Sequence, residues 1–173
     1  MTETAAAWLE RRGAQRDVIA WAEAFGDDWG KLWRDCPRGD WLLALALRRG
    51  APPERVLLAA RRVATLALDH VEGDEREAVQ NALTTPSTEA TAAIEARADA
   101  SVDPAHGAAL SAVVLALRGA PDDAAMVPLL LAQAAAMDAA ECGMSAAVSY
   151  VQRRSAELVR EVIADIPDPE RRT

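Results

Sequence analysis

Forty of the 173 residues are alanine, and no other feature of the chain narrows its folding options as far. Alanine has the best helix propensity and the smallest apolar side chain, so segments rich in it form helices that pack closely. Aromatic residues make up only 4% of the chain, and β-branched residues never form alternating runs, which leaves strands little to build on. The expected fold is all-α.

Glycine and proline divide the chain into segments. Gly13, Gly26, Gly50, Gly73, Gly107 and Gly119, with Pro37, Pro52, Pro53, Pro86, Pro104 and Pro121, fall mostly between stretches of apolar periodicity. Asp103-Pro104, Pro121-Asp122-Asp123 and Ser87-Thr88-Glu89 carry helix-start chemistry, a capping or acidic residue beside a proline. These signals predict helices at roughly 3–12, 15–25, 28–35, 38–49, 53–71, 74–84, 87–100, 104–118, 122–141 and 144–165. In the fifth segment Val56, Ala60, Val63 and Ala67 share one face, opposite Arg55, Arg61 and Arg62. In the tenth, Val148, Val151, Leu158, Val159, Val162 and Ile166 form a similar stripe, whereas Trp41–Leu47 is apolar almost all round and belongs at the centre. Pro128, inside the ninth segment, predicts either a kink or the true start of that helix.

The expected architecture is a single domain over 1–173, with about ten antiparallel helices. All five tryptophans (Trp8, Trp21, Trp29, Trp33, Trp41) fall in the first 41 residues, ahead of a C-terminal half built from Ala, Leu and Val. A bulky aromatic layer against a tight alanine-rich bundle follows. A sub-layer boundary near residue 85 fits the change in composition, but each half alone would have a thin core.

Charge and composition exclude several functions. Nineteen basic and twenty-seven acidic residues leave a net charge of -8, unsuited to neutralising phosphates, so nucleic acid is not an expected partner. A basic protein partner suits it better. The longest purely apolar run, Trp41–Leu47, is far too short for a bilayer span, and the N-terminus lacks the basic start and apolar run of a signal peptide. A soluble, cytoplasmic protein is expected. Cys36 and Cys142 form neither a CxxC pair nor a Cys/His cluster, so no structural zinc site or cofactor is expected.

Candidate chemistry is sparse. Asp103 and His106 form a D-x-x-H pair that reads first as a capping acid and a solvent-facing residue of the first helical turn. His70, after Asp69, suits the C-terminal dipole of its helix. A metal-dependent site using Asp103, His106 and His70 is the catalytic alternative. The acidic loop Asp69–Glu75 lacks the spacing of a calcium loop. With no nucleophile set beside a base and an orienting partner, and no phosphate loop or dinucleotide motif in the sequence, the chain reads as a binding protein rather than an enzyme.

The densest segment is Trp29-Gly30-Lys31-Leu32-Trp33-Arg34-Asp35-Cys36-Pro37-Arg38-Gly39-Asp40-Trp41-Leu42-Leu43. Trp29 and Trp33, four apart, share a helix face, and Asp40 can cap the next helix or pair with Arg38. Two readings stand. One is a tryptophan-rimmed recognition surface, since Trp and Arg dominate interface hot spots. The other is a corner where tryptophans fill the angle between two helices.

This segment, W-x-x-x-W-x-x-C-P-R-G-D-W-L-L, resembles the immunity protein family found beside bacterial polymorphic toxins. The likeness continues through Arg55–Ala64 and the alanine-rich tail Ala156–Glu161 followed by Ile166-Pro167, and the first 25 residues lie outside it. The resemblance implies an all-helical protein that neutralises a cognate toxin by direct binding, with no catalytic residues. Candidate partner contacts are Asp27, Asp28, Trp29, Trp33, Arg38, Asp40, Glu72, Asp74, Glu75, Asp122 and Asp123. The alternative is a structural or adaptor module that self-associates through its alanine-rich faces.

Overall fold

The computed structural model describes residues 3–139 and 143–166. Among the described residues there are ten α-helices and no strand. In chain order they are α1 (Ala5–Arg11), α2 (Arg16–Ala22), α3 (Trp29–Asp35), α4 (Gly39–Arg48), α5 (Pro53–Ala64), α6 (Gly73–Thr84), α7 (Thr88–Ala100), α8 (Pro104–Arg118), α9 (Met126–Asp138) and α10 (Met144–Val162). Cys142 and Pro167 lie outside the described residues. No described helix is long and apolar enough to cross a membrane.

The helix starts follow local chemistry. Thr4, Asp28, Ser87 and Asp103 each accept a hydrogen bond from a first-turn amide, satisfying donors that the helix itself leaves unpaired. Gly119 ends α8 in the left-handed region at φ 73°, where a side chain would be strained.

Three predicted helices are shorter than their apolar periodicity suggests. The 53–71 segment leaves α geometry at Thr65 and continues as a 3-10 turn over Thr65–His70. There the Thr65 hydroxyl donates to the Arg62 carbonyl at 2.7 Å, competing for a helix acceptor. The 15–25 segment likewise tightens to 3-10 over Glu23–Phe25 before Gly26 at φ 56°. The 122–141 segment opens as a 3-10 turn, Pro121–Asp123, and α9 begins only at Met126. Pro128 thus occupies the first turn, where its missing N–H removes no helix bond.

Helices α7 to α10 pack each on the next, and α10 also lies across α4 and α5. Short connections make these neighbours antiparallel. The buried stripes match the periodicity: Val56, Ala60, Val63 and Ala67 are fully enclosed, and so is Val159. One continuous core joins Leu32, Trp33, Leu42 and Leu43 to Leu110, Val113, Leu131 and Val159, so the change in composition near residue 85 does not divide it.

Candidate functional site

The Trp29–Leu43 segment is a corner between α3 and α4, clamped from behind by α10. Asp28 opens α3 by accepting from the Lys31 amide at 2.8 Å. One turn on, Leu32 and Trp33 point into the core. At the far end of α3, Arg160 of α10 donates to the Trp33 carbonyl at 3.1 Å and to the Cys36 carbonyl. It thereby takes over acceptors that the end of a helix leaves open. Burial lowers the Arg160 pKa, a cost that these bonds offset.

Past the corner, Arg38 holds Asp40 through two bonds, Nε to Oδ1 at 3.0 Å and Nη2 to Oδ2 at 2.7 Å. That fork raises the Arg38 pKa and neutralises a carboxylate that is only 6% exposed. The Cys36 thiol donates to the Arg38 carbonyl at 3.5 Å, and burial pushes its pKa up to about 11. A thiol held protonated in this way is a poor nucleophile and a poor metal ligand.

Rings and guanidinium groups fill the outside of the corner. Trp8 meets Trp29 edge to face at 5.3 Å, with Arg12 3.9 Å over Trp8 and Arg49 4.2 Å over Trp29. Trp29 therefore pairs with Trp8, while Trp33, on the expected shared face, goes to the core. Trp21 packs on Phe25 at 4.8 Å and on Trp41 at 5.5 Å, and Arg38 lies 4.5 Å over Trp41. All five tryptophans are buried or half-buried. Between this layer and the start of α9 lies a cleft of about 210 Å³, lined along α4 by Asp40, Trp41, Ala44, Leu45 and Arg48. Those positions form one face of that helix.

Comparison with family models, curated proteins and solved structures returns no match.

Ten of the eleven predicted contact residues divide into three sets. Trp33 and Asp40 are buried, 1% and 6% exposed, and are corrected from surface contacts to elements of the corner. Asp28 serves as a cap, while Trp29 and Arg38 are half-buried within the ring layer. Asp27, Glu72, Asp74, Asp122 and Asp123 are exposed.

Glu75 belongs to a cluster that sequence reading missed. Its carboxylate lies 2.7 Å from His106 Nε2, and Ser101 Oγ lies 2.9 Å from His106 Nδ1. Asp103 caps α8 as expected, but His106 is half-buried and turned toward α6 rather than facing solvent. Its partner is 31 residues away, beyond any local pattern. His70 pairs with Asp138 through Nδ1 at 2.5 Å, so the two histidines serve separate acids instead of one metal-binding set. Among the described residues, no group of three or more His, Cys, Asp or Glu is placed to hold a metal ion.

Proposed function

We propose that this chain is an immunity-type binding protein that neutralises a cognate bacterial toxin by direct contact with a basic surface. One observation carries the reading: several arginines are engaged within the protein while a set of acids unpaired among the described residues faces outward. Arg38 is held by Asp40, Arg160 by two backbone carbonyls, and Arg62, Arg118 and Arg154 by Glu161, Glu95 and Glu157. Glu72, Asp74, Asp122 and Asp123, by contrast, are exposed and have no side-chain partner among the described residues. With a net charge of -8, such a surface draws a basic partner in and gives complementarity at the contact.

The test is to screen the products of adjacent genes for capture by this chain at low and high salt, with protection of growth against any captured toxin as the functional readout. Binding that weakens at high salt, and that fails when Glu72, Asp74, Asp122 and Asp123 are changed together to lysine, supports the proposal. Protection that is unaffected by the four reversals rejects it.

A second reading, a self-associating helical module, is favoured by the exposed apolar residues of the last two helices. Met137, Met144 and Tyr150 are 47%, 44% and 59% exposed. Sedimentation distinguishes the two readings, because a module of that kind forms oligomers that high salt does not dissolve.

A further inference from the structure

The cleft beside α4 has features that toxin binding does not require. Its volume of about 210 Å³ exceeds the roughly 150 Å³ of an engineered apolar cavity that stays dry and takes up benzene. Its walls are mainly apolar, with Leu9, Leu32, Trp21 and Leu129 facing the α4 side chains. It is elongated: Asp40 and Arg48 are eight residues apart on the lining face of α4, which at 1.5 Å per residue makes about 12 Å. Its ends differ. Asp40 is buried and already held by Arg38, whereas Arg48, Gln15 and Met126 are exposed lining residues and mark the mouth. The Arg48 guanidinium has no partner among the described residues.

We propose that this cleft binds a small linear carboxylate, with its apolar chain lying along α4 and its head group on Arg48 at the mouth. Arg38 at the inner end is already engaged with Asp40, so a carboxylate entering head-first finds no open cation there, whereas Arg48 at the mouth offers one. An apolar chain in that position replaces water against Trp21 and Trp41, and the planar fork of Arg48 matches the two head-group oxygens.

The test is a titration of the intact protein with octanoate and with octanol, read by tryptophan fluorescence and by calorimetry. Octanoate is expected to bind saturably at one site and octanol about tenfold more weakly, the difference made by one charge-assisted contact. Arg48→Gln should abolish that preference and leave octanol within about twofold of its wild-type affinity. Ala44→Leu, which fills the cleft from α4, should remove binding of both. The proposal is overturned if octanoate shows no saturable binding, or if octanol binds as tightly. It is also overturned if Ala44→Leu keeps its helical signal and still binds octanoate normally. Should Ala44→Leu fail to fold, the Arg48→Gln comparison decides by itself.

Discussion

Gly39 and Ser155 lie in backbone contact where α4 crosses α10. A β-carbon built on Gly39 would sit 2.4 Å from the Ser155 Cβ and 2.9 Å from its backbone carbonyl carbon. The glycine of the Pro37–Asp40 turn is thus required by a helix 116 residues further along the chain, and its backbone angles do not demand it.

Gly39→Ala should therefore destabilise the protein by about 2 kcal/mol or more, because neither helix backbone yields easily. A drop in melting temperature of about 5 °C or more, followed by circular dichroism, is the corresponding signal. Adding Ser155→Gly should recover only part of the loss, since the carbonyl carbon remains in the way. Full recovery would place the clash on the side chain alone.

Ser155 carries a second consequence. Its hydroxyl is buried without a hydrogen-bond partner among the described residues. Ser155→Ala removes an uncompensated polar group at nearly constant shape, so stability should hold or rise by up to about 1 kcal/mol. Urea unfolding checks the sign, and a clear loss would mean that the hydroxyl has a partner in solution.

Arg160→Lys should cost about 1–3 kcal/mol, because an ammonium cannot span both the Trp33 and Cys36 carbonyls as a guanidinium does. Hydrogen exchange should quicken at the end of α3 before it quickens elsewhere. Uniform quickening would argue that Arg160 acts through the α10 packing as a whole.

The Cys36 thiol gives a pH dependence with a definite sign. Its folded pKa of about 11 lies above the 9.0 of an unperturbed thiol, so the native state holds this proton more tightly than the unfolded chain does. The contribution is fully present below pH 9 and is lost as the pH rises toward 11, by roughly 1.4 kcal/mol per unit. In a Cys142→Ser background, the stability difference between Cys36 and Cys36→Ala proteins should therefore narrow across that window. A difference that is flat from pH 8 to 11 would contradict the burial of the thiol.

Asp40→Ala leaves Arg38 half-buried without its fork partner and should destabilise by about 1–3 kcal/mol. Asp40→Asn, which keeps one acceptor, should lose less. Equal losses would show that the charge of the pair, rather than packing or a remaining acceptor, sets the cost.

Much of the scaffold was legible locally. Ser87, Asp103 and Pro104 start helices where capping chemistry says they must, and Val56, Ala60, Val63 and Ala67 face inward as their 3.6-residue spacing requires. The errors fall where local signals are silent about competition: Thr65 diverts α5 through its own hydroxyl, and Pro121–Asp123 forms a turn of its own ahead of α9. The candidate site was less legible. Its motif stands out in the sequence, and the Arg38–Asp40 pair is two residues apart and readable, but which tryptophan turns inward is not.

The sequence by itself determined that the chain is helical, roughly where each helix begins, and which stripe of each long helix is apolar. Propensity, caps and periodicity act within a few residues, so one strand of text contains them. Only the tertiary structure decided that Trp33 faces the core while Trp29 meets Trp8, that Glu75 reaches His106, and that Arg160 seals the Cys36 corner from 124 residues away. An apolar stripe says that a face must be covered but not by which helix, and bonds across a crossing depend on the angle and height at which two helices meet.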